Sequence, residues 1–348
     1  MTNETKPTII EQRKLEHVQI VLEKNVEYKN KSTGFEKIDF EHNALPELNF
    51  DEIDISTNFL GTKLQAPFMI TGITGGYGPA QKINGDLAAA CEKEGVVVGL
   101  GSMRPLFEQP ELAKTYNVRD RAKKVFLCGN IGGYQLKSMN IDNMHKVLCE
   151  LQANALCVHL NPIHEAVQKE GDMNWLGVLS AIKKACKELD TPIIVKEVGS
   201  GISASLAEKL ESVGVAAIDV SGSGGTSWSG GVESYRKGRP ETELFWDWGI
   251  PTSIAVANAA KRVKIPLIAS GGIRNGLEVA KAIRLGATLA GAAAPFLKAQ
   301  NIGGEQEIIK LIQTWKRELK MTCFGTGSKN LSELSGANLI KPLDINEL

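Results

Sequence analysis

From residue 66 onward the chain repeats one pattern: a short apolar run, a glycine-rich or polar turn, then a longer stretch with helical periodicity. Eight runs read as strands, at 67–71, 96–100, 125–128, 156–159, 193–196, 217–220, 267–269 and 289–292. Helical periodicity falls between them at 84–95, 175–189, 203–213, 252–263 and 276–286. Strands that alternate with helices must pair in parallel through crossovers, and eight such units predict an α/β fold, a TIM (β/α)8 barrel. A doubly wound open sheet is the alternative.

Two segments break the repeat. Residues 1–65 precede the first strand as an N-terminal extension, and 222–251 form a loop after the sixth strand too long for an ordinary connection. That loop mixes glycines with Trp228, Trp246 and Trp248, a composition suited to a lid or a subunit contact. The barrel is expected over 66–325, followed by a C-terminal tail, 326–348. Of the 348 residues, 43% are hydrophobic, ample for a core.

Lys and Arg total 40 against 40 for Asp and Glu, so no general basic field recruits nucleic acid or an anionic membrane. Six cysteines show no C-x-x-C pairing, which argues for a reducing compartment and against a zinc site. The first 30 residues are charged rather than apolar, and no run of about 18 apolar residues occurs. A cytoplasmic location without membrane insertion is expected.

Ligand-capable side chains concentrate in the stretch from His159 to Asp172, H-L-N-P-I-H-E-A-V-Q-K-E-G-D. It follows an apolar strand, and period-2 alternation puts His159 and Asn161 on one face at the strand's carboxyl end, where barrel active sites sit. Glu165 is a hard oxygen ligand suited to Mg²⁺, and His164 beside it is a candidate proton donor or acceptor. The competing reading has both histidines satisfying buried backbone groups. Glycine clusters follow predicted strands at 71–76, 99–102, 221–226 and 270–274. The last, S-G-G-I-R, and A-G-A-A at 290–293 occupy the loops after the seventh and eighth strands, a common phosphate site in barrels. No G-x-G-x-x-G opens a βαβ unit, so a Rossmann NAD site is not expected. Lys196 ends the fifth run pointing inward and needs a negative partner, either a cofactor anion or an ion pair with Glu197 or Asp219, although Glu197 should face the other way. If 9–24 is helical, Arg13, Lys14 and His17 share an arc of about 100°; on charge pattern alone this reads as a solvated cationic face.

Taken together, these motifs resemble the type 2 isopentenyl diphosphate isomerase family. The match runs from Arg13 to Gly325 through R-K-x-x-H, T-G-x-T-G-G, G-S-x-R, G-N-I-G, H-x-N-P-x-x-E with E-G-D, V-K-E-V-G, D-V-S-G-x-G-G-T-S-W, D-W-G-I-P-T and S-G-G-I-R-x-G. The resemblance implies a TIM barrel, a homo-oligomer (tetramer or octamer), and use of reduced FMN, Mg²⁺ and NADPH as reductant. It implies that Thr71, Thr74, Ser102, Asn130 and Lys196 hold the flavin. Its phosphate would lie among Ser221, Thr226, Gly271, Gly272, Arg274, Ala292 and Ala293. A prenyl diphosphate substrate would meet Arg13, Lys14, Arg104, His159 and Asn161, with the metal on Glu165. Catalysis would involve His164, Lys196 and Glu165. The family commonly has glutamine where this chain has His164, so a relative acting on a longer prenyl substrate, as a cyclase or double-bond isomerase, is one alternative. An FMN-dependent 2-hydroxy acid oxidoreductase is another.

Overall fold

The computed structural model describes residues 9–236 and 238–340. Eight parallel strands form a closed barrel: β1 (Phe68–Ile70), β2 (Val97–Gly99), β3 (Leu127–Gly132), β4 (Ala155–His159), β5 (Ile193–Lys196), β6 (Ala217–Asp219), β7 (Leu267–Ser270) and β8 (Leu289–Ala292). Each pairs with the next, and β8 returns to β1 with Ala290 opposite Phe68. That last pairing excludes the open sheet. The predicted TIM barrel is the fold.

Period-2 alternation sorts the inward-facing residues into layers. Met69, Val97, Cys128, Cys157, Ile194, Ala217, Ile268 and Leu289, one from each strand, form an apolar cluster. Two residues further along each strand come Thr71, Gly99, Asn130, His159, Lys196, Asp219, Ser270 and Gly291. The barrel is therefore oily at the centre and polar at the carboxyl end. An antiparallel hairpin, Thr57–Phe59 with Thr62–Leu64, closes the other end. Its Phe59 and Leu64 join the inner cluster, and the Phe59 ring lies 5.6 Å from that of Phe126.

The sequence reading misplaces β3, set at 125–128. The strand starts at Leu127 and runs on through G-N-I-G, which pairs with Leu156–His159. A Cβ on Gly132 would stand 1.9 Å from Gln135 Oε1, so a larger residue there would displace the Gln135 side chain. Helices begin at Ala80 rather than 84 and at Val178 rather than 175. Two further helices were not singled out from the sequence. Ile141–Glu150 starts where the Asn140 side chain accepts the Asn143 N–H at 2.9 Å. Ala294–Thr326 is kinked at Gly303 and Gly304 and buries Trp315 between Phe68 and Phe296.

The N-terminal helix, Ile9–Glu23, crosses the carboxyl end of the barrel and lines its mouth. The segment after it pairs with both the long loop and the C-terminal residues, through Glu27–Thr226, Phe40–Leu339 and Asp54–Asn330. Of the expected tail, 341–348 lie outside the described residues. No helix among those described is long and apolar enough to cross a membrane.

Because Phe59 is wholly buried and seals the inner cluster, Phe59→Ala should destabilise the protein by about 3–5 kcal/mol, read by urea unfolding. A loss below about 1 kcal/mol would show that the hairpin does not close the core.

Candidate active site at the carboxyl end of the barrel

A cavity of about 550 Å³ opens over the polar layer, and every residue that the resemblance assigns to flavin, substrate or metal lines it. Register explains the convergence. Gly132 lies opposite His159, His159 opposite Lys196, and Lys196 opposite Asp219. Neighbouring parallel strands thus deliver these side chains at one level. Asn161, at the N-terminus of Pro162–Val167, and Glu165 follow β4 directly.

Lys196 is 7% exposed and gives one hydrogen bond, to the Glu197 carbonyl at 2.5 Å. It makes no carboxylate ion pair among the described residues, so neither partner named from the sequence takes it. The Glu197 carboxylate points away, as alternation requires, and accepts the backbone N–H groups of Val198 and Gly199 at 2.7 and 2.6 Å, and those of Ser200 and Gly201. Asp219 accepts the Ser270 hydroxyl at 2.6 Å and the Ser221 N–H at 3.1 Å. Burial pushes the Asp219 carboxyl up. A buried ammonium with two unused donors facing a cavity fits an anionic group.

The glycine loops fit a phosphate. Gly271 and Gly272 have φ of +99° and +82°, and a Cβ on Gly271 would meet the Gly222 carbonyl oxygen at 2.0 Å. A Cβ on Gly225 would stand 2.5 Å from Gly272 N. The loops after β6 and β7 therefore interlock backbone to backbone, and their bare main chain forms the cavity edge together with Ser221, Thr226, Ala292 and Ala293. Arg274 is held beside them, donating to the carbonyls of Gly272 at 2.8 Å and Gly224 at 3.2 Å and pairing with Glu27 at 3.1 Å.

On the opposite side stand Arg13, Lys14 and Arg104. They are not a solvated face: the barrel covers the helix, and Lys14 donates to Gly75 O, to Ser102 O at 2.7 Å and to the Tyr116 hydroxyl at 3.1 Å. Burial, then the Arg13 charge, lowers the Lys14 amine to about 7. Arg104 binds Glu108 at 2.8 Å and approaches Asp172 at 3.6 Å. Asn161 Nδ2 donates to Glu165 Oε1 at 2.8 Å and the Asp172 N–H to Oε2 at 2.9 Å. Each Glu165 oxygen keeps a lone pair, which fits a hard cation that retains waters.

Neither histidine serves the backbone. His159 Nδ1 lies 2.9 Å from Asn130 Oδ1, and His164 Nε2 lies 2.9 Å from Glu233 Oε1. Burial and the nearby Lys196 lower the His159 imidazole to about 3. Burial opposes ionisation of Glu233, yet the His164 hydrogen bond, the His17 imidazole beside it and the Arg236 charge hold its carboxyl well below the usual range. Glu233 is the group that sequence reasoning missed. It is 1% exposed and sits in the over-long loop, where Arg236 also grips it at 2.8 Å. The loop's length was a signal, but no spacing rule separates this carboxylate from its exposed neighbours. Gln168 and Tyr116 were missed for the same reason.

The fold and its phosphate-ready loops define an FMN-type barrel. The model of the FMN-dependent dehydrogenase family matches residues 8–115 and 137–341. A mandelate oxidase carrying an FMN adduct superimposes with a TM-score of 0.65 at 12% identity, over 93% of this chain and 95% of that one. A protein from Pediococcus acidilactici described as a lactate oxidase superimposes with a TM-score of 0.67 at 16% identity, over 98% and 97%. These structures share the fold. Sequence relatives are more specific. The isopentenyl-diphosphate delta-isomerase of Vibrio parahaemolyticus is 47% identical over 93% of this chain and 97% of its own length. Those of Methanothermobacter thermautotrophicus and Pyrococcus furiosus are 45% and 43% identical, over 95% and 92% of this chain and 93% and 84% of their own lengths. The chain belongs to the type 2 isopentenyl-diphosphate isomerase family and is an isomerase.

The folded protein withholds from His159 a proton that the unfolded chain binds near pH 6.5, so this residue costs stability as the pH falls from about 6.5 towards about 3. His159→Gln should flatten the fall in unfolding free energy between pH 6.5 and 4. An unchanged slope would contradict the buried, neutral imidazole.

Proposed function

We propose that the protein interconverts isopentenyl and dimethylallyl diphosphate in isoprenoid biosynthesis, without net redox change, using reduced FMN and Mg²⁺ with NADPH as the reductant. The observation that carries this reading is the buried Lys196 ammonium, without a carboxylate ion pair among the described residues and aimed into a cavity whose far wall is cationic. A ring anion and a diphosphate would each find a complementary surface there. The 2-hydroxy acid alternative rests on the shared fold and on the FMN-dependent dehydrogenase family model.

FMN, when bound, supplies an electron-rich ring that can exchange a proton and stabilise positive charge. Thr71, Thr74, Ser102 and Asn130 would hold that ring, and Lys196 would balance the negative charge of its reduced form. Ser221, Thr226, Gly271, Gly272, Arg274, Ala292 and Ala293 would hold the phosphate. The N-terminal segment contributes Arg13 and Lys14, which with Arg104, His159 and Asn161 would meet the substrate diphosphate. Glu165 would hold Mg²⁺ against it, since a carboxylate facing a diphosphate without a cation would repel it. Moving the double bond adds a proton at one allylic terminus and removes one at the other. His164, oriented by Glu233, is a group of this chain able to hold or move a proton at Nε2. Exposed Leu176, Leu244 and Ile302 offer apolar surface to a cytoplasmic homo-oligomer, a tetramer or octamer.

Anaerobic incubation with isopentenyl diphosphate, FMN, NADPH and Mg²⁺ tests the reading by product analysis, and conversion of only a longer prenyl substrate would overturn it. Lys196→Ala should weaken binding of reduced flavin more than of oxidised flavin, because only the reduced form carries the extra charge. Equal losses in both redox states would remove Lys196 from the ring. Glu165→Gln should raise the Mg²⁺ requirement and leave FMN affinity intact; wild-type Mg²⁺ dependence in the variant would put the metal elsewhere.

A further inference from the structure

We propose that His17, His164 and Glu233 form a second cation site, separate from the Mg²⁺ position at Glu165 and suited to a borderline divalent ion such as Zn²⁺. The three residues come from different segments: the N-terminal helix, the helix after β4 and the long loop. Their ligand atoms all lie within 4.8 Å of one another. His164 Nε2 and His17 Nε2 stand 2.9 and 3.4 Å from the same oxygen, Glu233 Oε1. Tetrahedral zinc with bonds of about 2.0–2.1 Å needs its ligands about 3.4 Å apart. The 3.4 Å between His17 and Glu233 meets that spacing, His164 stands closer, and the two imidazole nitrogens lie within 4.8 Å of each other.

Unmet hydrogen-bonding capacity points independently to the same spot. His17 Nε2 is buried without a hydrogen bond of good geometry. Gln168 is 2% exposed and presents its amide 2.7 Å from His164 Nε2 and 3.2 Å from Glu233 Oε1, while its own Oε1 has no partner among the described residues. A half-turn of that amide would bring an oxygen to the cluster as a fourth ligand. Two imidazole nitrogens and a carboxylate oxygen facing one another, with the unused Gln168 amide oxygen one rotation away, form an acceptor-rich pocket, and a cation satisfies all of them at once.

Charge agrees with this. Arg236 binds Glu233 at 2.8 Å, but it is shared with Glu170 at 3.1 Å and Glu16 at 3.3 Å. Three carboxylates around one guanidinium, with Arg13 also acting on Glu170, still leave a negative surplus able to meet a divalent ion. Ligand type then separates the two cation positions. Imidazole nitrogens select zinc and its neighbours, whereas the carboxylate of Glu165 is a hard oxygen ligand that suits magnesium. The family's glutamine at position 164 would supply an amide in place of the second imidazole, so this site is particular to chains with histidine there. If the isomerase reading holds, zinc at His164 Nε2 occupies the atom that would carry a proton and inhibits turnover.

The test is equilibrium dialysis of the FMN-loaded protein against Zn²⁺ in excess Mg²⁺, with metal content measured directly. Wild type should take up one tightly bound ion per chain. His164→Gln and His17→Gln should each weaken it by at least about tenfold, with FMN content unchanged as the sign of an intact fold, and Glu165→Gln should bind as wild type. Absence of tight Zn²⁺ in the wild type, or binding indifferent to both histidine substitutions, overturns the site. Loss in Glu165→Gln with retention in His164→Gln would put the ion at the magnesium position and overturn it equally. Because ion content is measured rather than turnover, failure here leaves the isomerase reading untouched.

Discussion

Closure of the barrel is the constraint on which the rest depends. Once β8 pairs with β1, the eight strands share one register, and alternation obliges every strand to present the residue two places beyond the apolar layer at a common level. Thr71, Asn130, His159, Lys196, Asp219 and Ser270 are then brought together whatever their separation in sequence. Polar groups crowded at the end of an apolar tube must find partners or bind a ligand. Most of them do find partners: Asp219 takes Ser270, Asn130 meets His159, and Glu197 turns outward to cap four backbone amides. Lys196 is left facing the cavity.

The segments outside the repeat finish what closure begins. The hairpin seals the amino end of the tube, which frees the carboxyl end to carry chemistry. The N-terminal helix brings Arg13, Lys14 and His17 over the opening, and the long loop brings Trp228 and Glu233 beneath them. His17, His164 and Trp228 pack ring against ring, with centroids 5.3 to 6.0 Å apart. The carboxylate at their centre is thereby walled from solvent.

Periodicity made the barrel legible, because strands of four or five apolar residues bounded by glycine leave few other readings. The glycine loops and Lys196 were legible for a related reason: their place at strand ends has a chemical meaning independent of tertiary detail. The third strand was ended too early, at 128, because its apolar run stops there while the backbone ladder continues through Gly129–Gly132. Glu233 and Gln168 were invisible because their roles arise from contacts across more than 60 residues, and local composition carries no record of those. Lys14 was misjudged as solvated because helix periodicity shows which residues share a face but not what will cover it.

The central claim is that this polar end serves proton chemistry on a prenyl diphosphate. Its most direct test follows isopentenyl diphosphate by NMR in D₂O with the reduced, FMN-loaded protein and Mg²⁺ under anaerobic conditions. The account predicts dimethylallyl diphosphate carrying solvent deuterium while the flavin spectrum stays that of the reduced form. Absence of product from fully reduced, FMN-loaded protein, or flavin oxidation in step with turnover, would contradict it.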